Sequence, residues 1–188
     1  MASLKLILGN KNYSSWSFRP WIAMRHAGLE FEEVVIPLFE EGYKEQILSY
    51  SPAGQVPVLM VGETPVWGSL AILEYVAEAY PETGLWPDDI MDRAKARAIS
   101  GEMHSGFAAL RVAFPVNFRR KPGKINFEDD VAQNIRRIED IWTECRADHC
   151  GSGDFLFGRF SIADAMYAPV VSRFHVYDVP VRPEARAY

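Results

Sequence analysis

Residues 54–76 read GQVPVLMVGETPVWGSLAILEYV, and the fold class turns on this stretch. Val58 to Val61 and Pro65 to Trp67 are short apolar runs around Gly62-Glu63, the pattern of a hairpin. Leu70, Ile72, Leu73, Tyr75 and Val76 follow at once as a strongly apolar helix, with Ser69 placed to cap it. Upstream, Leu4 to Leu8 is short, apolar and stopped by Gly9-Asn10, which reads as a buried strand. After the polar loop Lys11 to Ser15, residues Phe18, Trp21, Ile22 and Arg25 recur at helical spacing, and Gly28 closes that helix. Phe31 to Ile36 reads as a second strand, Glu41 to Tyr50 as a short polar helix, and Ser51-Pro52-Ala53-Gly54 as a loop. The order β-α-β-α-β-β-α predicts a mixed sheet with helices packed on it.

Downstream the pattern changes. Pro81 to Asp89, PETGLWPDD, combines two prolines, a glycine and acids. It divides a first domain, residues 1–80, from a second, residues 89–188, through a linker at 81–88. Beyond it no strand pattern stands out. Val131, Ile135, Ile138, Trp142 and Cys145 mark one face of a long helix. Ser161-Ile162-Ala163-Asp164 opens another with a capping-box pattern, Asp standing where Glu is commoner. The second domain therefore reads as all-α.

The bulk composition narrows the function classes. The chain has 188 residues, 48% hydrophobic and 24% charged, with a net charge of -5. That is ordinary globular composition, and the negative charge argues against a nucleic-acid binder. No apolar stretch reaches the ~18 residues of a membrane span, and the N-terminus lacks a signal-peptide layout. Cys145 and Cys150 form no paired motif and the four histidines are scattered. The expectation is a cytoplasmic protein with neither a disulfide framework nor a metal site.

Four segments resemble the glutathione transferases. Tyr13-Ser14-Ser15-Trp16-Ser17-Phe18-Arg19-Pro20-Trp21 looks like the S-S-x-S segment of zeta-class enzymes and of related bacterial serine-type members. Gln55-Val56-Pro57-Val58-Leu59 is similar to the family's V-P-x-L segment with its cis-proline. Gly68-Ser69-Leu70-Ala71-Ile72 is similar to its acid-or-Gln, Ser, x, Ala, Ile pattern, and Gly158 to Asp164 to its C-terminal capping motif. The resemblance implies a thioredoxin-like α/β domain followed by an all-α domain. It implies glutathione as co-substrate, a small electrophile as second substrate, and a homodimer. Two departures stand out: Gly68 replaces the usual acid or amide, and the chain stops at Tyr188, shorter than family members usually are.

A free thiol ionises near about pH 8.5, so a site that uses it at neutral pH must stabilise the thiolate. A hydroxyl donor and a helix N-terminus both do so, and a shift of about two units needs only ~2.7 kcal/mol. The resemblance places the catalytic serine at Ser14, with Ser15 next, although both could simply cap the helix. Val56, ahead of a cis Pro57, would offer the tripeptide strand-like hydrogen bonds. Ser69, beside Gly68, suits a carboxylate at a helix start, or serves as an ordinary cap. Arg19, Lys44 and Gln55 are candidate partners for the glycyl carboxylate. Met103, His104, Phe107 and Arg111 lie on one face of the first long helix after the linker, the face that borders the second-substrate pocket in this fold, although a surface or core place is the commoner fate for His104.

Three functional readings remain open. The first is a transferase acting on small electrophiles. The second is an isomerase of the maleylacetoacetate type, which adds and removes glutathione, although Trp16 replaces the cysteine usual there. The third is a non-catalytic glutathione-binding or regulatory module. A thiol-disulfide transferase of the omega type is disfavoured, because no cysteine precedes Cys145.

Overall fold

The computed structural model describes residues 3–149 and 151–188, so Cys150 lies outside the described residues. The chain forms two compact units, Met1–Thr83 and Gly84–Tyr188.

The first unit is a thioredoxin-like layer structure. Its elements are β1 (Leu4–Leu8), α1 (Ser15–His26), β2 (Glu32–Val35), α2 (Tyr43–Leu48), β3 (Val58–Val61), β4 (Thr64–Trp67) and α3 (Ser69–Ala79), ending in a 3-10 turn at Pro81–Thr83. The sheet order is β2-β1-β3-β4. β1 and β2 pair in parallel, as a strand–helix–strand crossover requires, while β1–β3 and β3–β4 are antiparallel. The apolar run at the end of β1 is explained by its central place, with Leu6, Ile7 and Leu8 fully buried. β2 is an edge strand with charged residues, and Glu32 pairs with Lys5 across the ladder at 3.3 Å. Ile47 of α2 packs on Ile7, Ile36 and Val58.

Several boundaries differ from the sequence reading. β2 stops at Val35, although the Ile36 N–H still donates to Leu8 O at 2.7 Å. α2 begins at Tyr43 rather than Glu41, because Gly42 takes a left-handed conformation, φ 79°. Ser69 does not cap α3: Gly68 is the cap, at φ 87° and ψ 129°, and Ser69 is the first helical residue. Gly28 does close α1 as expected, at φ 69°, with its N–H on Arg25 O and that of Leu29 on Met24 O.

The second unit is helical: α4 (Ile90–Ser105), α5 (Ala108–Ala113), α6 (Asp129–Asp148), α7 (Ile162–Val176) and α8 (Pro183–Arg186). Among the described residues its only β contacts are two isolated bridges, Phe155–Gly158 and Phe157–Arg159. α6 buries the stripe read from its spacing, Val131, Ile135, Ile138, Trp142 and Cys145. α7 is buried on nearly every side, as expected of a helix that is apolar all round. Its start is fixed by Asp164, whose Oδ2 accepts from the N–H and the hydroxyl of Ser161, both at 2.8 Å. Burial pushes that carboxyl above the usual range, against the pull of its hydrogen-bond donors.

One sequence expectation fails here. Met103, His104, Phe107 and Arg111 do not share one helix. α4 ends at Ser105, Phe107 takes a left-handed conformation at φ 58°, and Arg111 sits on α5. The break is stabilised by the Arg111 guanidinium, which donates to the carbonyls of His104 and Gly106 at the end of α4, groups that have no partner within the helix.

Candidate functional site

Three segments of the first unit converge through strand register. Ile7, at the C-terminal end of β1, stands opposite Val58, the first residue of β3, and Val58 stands opposite Trp67, the last residue of β4. The β1–α1 loop, the Val56-Pro57 segment and the start of α3 therefore lie at one end of the sheet. The Val56–Pro57 peptide is cis, and the Gly68 N–H donates to the Pro57 carbonyl at 3.4 Å, which ties the last two segments together.

The β1–α1 loop is built turn by turn. The N–H groups of Tyr13 and Ser14 both donate to Asn10 O, at 3.0 and 2.8 Å. Ser14 is the N-cap of α1, its Oγ accepting from the Ser17 N–H at 3.3 Å. It is half-buried, whereas Ser15 is 6% exposed, so Ser14 is the more accessible of the two hydroxyls. Behind it the Ser14 and Ser17 hydroxyls are 3.0 Å apart, and the Gly9 N–H donates to Ser17 Oγ at 2.9 Å. No acid lies in the first turn of α1, so its positive end is not neutralised locally.

The loop is also anchored from β2. Glu33 accepts from Lys11, from Trp21 Nε1 at 2.8 Å and from Arg25 at 2.6 Å. Burial pushes its carboxyl up, but the hydrogen bonds from Lys11, Arg25 and Trp21 together outweigh this and hold it down at about 2.

At α3, Ser69 is 1% exposed and its Oγ has no hydrogen-bond partner among the described residues. A buried hydroxyl without a partner costs about 1–3 kcal/mol, and at a helix start it sits beside N–H groups that also lack intrahelical acceptors. This combination suits a bound carboxylate. Gly68 leaves no side chain there, and its φ of 87° is a conformation that an acid or amide would adopt only under strain. Lys44 and Gln55 are exposed. Arg19 is fully buried with its guanidinium 4.5 Å above the Trp16 ring.

In the second unit, Met103 is fully buried and Phe107 nearly so, both in the core. His104 is half-buried and is joined to Arg111 through its carbonyl at 3.5 Å. Sequence reasoning missed Arg173. It is buried on α7, donating to Phe114 O at 2.7 Å and Pro169 O at 3.2 Å. Burial, then repulsion from Arg111, holds it down at about 10. An arginine in a largely apolar helix was its only sequence signal. Ser17 was also missed, although its three-residue spacing from Ser14 matches a cap contact. Among the described residues no group of three His, Cys, Asp or Glu side chains is arranged to hold a metal, and no helix is long and apolar enough to cross a membrane.

Comparison with known proteins bears on both units. Residues 13–79 match the family model for the glutathione S-transferase N-terminal domain, and residues 126–188 that for its C-terminal domain. The chain is 30% identical over 190 residues to maleylacetoacetate isomerase of Rattus norvegicus, covering 97% of this chain and 84% of that protein. It is 36% identical over 164 residues to the zeta-class glutathione S-transferase of Euphorbia esula, covering 87% and 70%. In fold it is similar to a glutathione transferase homolog from Burkholderia with bound glutathione: TM-score 0.70, 22% identity, coverage 98% and 88%.

Proposed function

The chain belongs to the glutathione S-transferase superfamily and resembles its zeta class, and from that premise we propose that it is a glutathione transferase of the serine type. The observation that carries this reading is that two helix N-termini open at the same end of the sheet. That of α1 presents the half-buried Ser14 hydroxyl, and that of α3 presents the orphaned Ser69 hydroxyl. The γ-glutamyl carboxylate meets Ser69 and the first N–H groups of α3. The peptide backbone pairs with Val56 beside Pro57, as an added strand does. Lys44 and Gln55 attend the glycyl carboxylate, and Gly68 contributes backbone only. Ser14 donates to the sulfur, and the positive end of α1 favours the thiolate over the thiol. The thiol proton leaves to solvent, the thiolate forms a carbon–sulfur bond to the electrophile, and the electrophile's leaving group departs as an anion. Residues 1–80 form the glutathione domain, 81–88 the linker and 89–188 the helical domain. The protein works in the cytoplasm as a homodimer.

A second reading, isomerisation of the maleylacetoacetate type, is supported by the likeness to the maleylacetoacetate isomerase of Rattus norvegicus. There the thiolate adds to a conjugated double bond, the new single bond rotates, and the same carbon–sulfur bond breaks, regenerating glutathione. Retention on immobilised glutathione followed by two assays tests both readings: conjugation of an aryl halide, and glutathione-dependent cis–trans isomerisation of a maleyl keto-acid. Retention with neither activity would favour a non-catalytic module, and no retention would refute the glutathione site.

A further inference from the structure

We propose that Ser17 is a positioning residue that sets the direction in which the Ser14 hydroxyl donates. This rests on the reading that Ser14 meets the glutathione sulfur. The Ser17 side chain is fully buried one turn into α1, so its hydroxyl does not trade partners with water. The Gly9 N–H donates to Ser17 Oγ at 2.9 Å, and a backbone N–H has no other role to play. Ser17 Oγ also lies 3.0 Å from Ser14 Oγ. A hydroxyl carries one hydrogen and two acceptor sites, so either serine can donate within this pair.

A thiolate in front of Ser14 removes that freedom. Once Ser14 gives its hydrogen to sulfur, the bond within the pair persists only with Ser17 as its donor. The chain then runs from the Gly9 N–H to Ser17 Oγ, from the Ser17 hydroxyl to Ser14 Oγ, and from the Ser14 hydroxyl to sulfur. The Ser17 N–H adds a second donor to Ser14 Oγ at 3.3 Å. Every group is satisfied and no proton changes owner within the chain. Each link polarises the next, strengthening it by roughly 10–30%, so Ser17 both turns the Ser14 hydrogen toward sulfur and makes it a better donor.

The simpler alternative is that Ser17 only fastens α1 to the end of β1. The two accounts differ in whether Ser17 acts through Ser14. The pKa of enzyme-bound glutathione, read from thiolate absorbance against pH, separates them in the wild type, Ser14→Ala, Ser17→Ala, Ser17→Cys and the double variants. Ser17→Ala is expected to raise the thiol pKa by about half a unit, and to lower turnover below that pKa about threefold with KM for glutathione unchanged. In the Ser14→Ala background Ser17→Ala should add no further shift. Ser17→Cys, similar in size with a weaker donor, should fall between. A Ser17→Ala shift of equal size in both backgrounds would overturn the inference, as would no shift where Ser14→Ala produces one. If Ser17→Ala does not fold, Ser17→Cys with and without Ser14→Ala carries the same comparison. A wild-type thiol pKa that is not lowered, or one that Ser14→Ala leaves in place, refutes the Ser14 reading itself.

Discussion

Replacing Asp164 with alanine removes one acceptor group shared by four donors. The Leu156 N–H and the Tyr188 hydroxyl reach Oδ1, each at 3.0 Å, and the Ser161 N–H and hydroxyl reach Oδ2, each at 2.8 Å. The two backbone N–H groups dominate the cost, because a hydroxyl can rotate toward another acceptor and a buried N–H cannot. Leu156 and Ser161 are 0% and 1% exposed, so water does not replace the lost carboxylate. Each orphaned donor costs about 1–3 kcal/mol, so Asp164→Ala should cost about 2–6 kcal/mol against a total stability of about 5–15 kcal/mol. Asp164→Asn keeps one carbonyl acceptor and should lose roughly half as much. Tyr188→Phe removes only a rotatable donor and should lose about 1 kcal/mol or less. Urea unfolding followed by tryptophan fluorescence reads all three, since the Trp142 ring lies 4.9 Å from that of Tyr188; the midpoint should fall with little change in slope. A loss below about 1 kcal/mol for Asp164→Ala, or equal losses for Asp164→Ala and Tyr188→Phe, would refute the argument that orphaned N–H groups set the cost.

Ser14→Ala should cut turnover about 10- to 150-fold, the worth of one charge-assisted hydrogen bond, with glutathione affinity nearly intact, and Ser15→Ala should do less; steady-state kinetics decide the order. Glu33 has a folded pKa held down at about 2, so its stabilisation is present above the unfolded value of about 4.5 and is lost as the pH falls from there toward 2. The shift corresponds to at most ~3 kcal/mol, and with Arg25 half-exposed solvent screening reduces this to about 1–2 kcal/mol. The difference in stability between wild type and Glu33→Gln should therefore shrink between pH 5 and pH 2, roughly over that interval, and a difference independent of pH in acid unfolding would count against it. Light scattering at micromolar concentration should report a dimer, and a monomer would remove that part of the proposal.

The division between what was legible in the chain and what was not follows the range of the interactions involved. β1, α1, the hairpin and α6 were readable because each rests on a local pattern: a mostly apolar run for a central strand, a 3.6-residue stripe for a helix with one buried face. The capping pattern of Ser161 and Asp164 was readable for the same reason, both partners lying within one turn. The site segments around Ser14, Pro57 and Ser69 were identifiable as motifs, and the cis Val56–Pro57 peptide was expected from them. Their meeting at one end of the sheet had to come from the strand register.

Where local signals competed, tertiary structure decided. Ser69 looks like a cap, but the turn out of β4 puts Gly68 at φ 87° and moves the serine inside the helix, with its hydroxyl buried and unspent. Helical spacing carries Met103, His104, Phe107 and Arg111 along one face, yet the chain turns left-handed at Phe107 and Arg111 folds back onto carbonyls of the preceding segment. The amino-acid sequence by itself determined the element types, the two-part organisation and the family likeness, because periodicity, turn residues and short motifs act over a few residues. Only the tertiary structure decided that Ser14 is the more accessible serine and that Ser17 is spent on the Gly9 N–H, because burial and the choice of hydrogen-bond partner depend on how the chain packs.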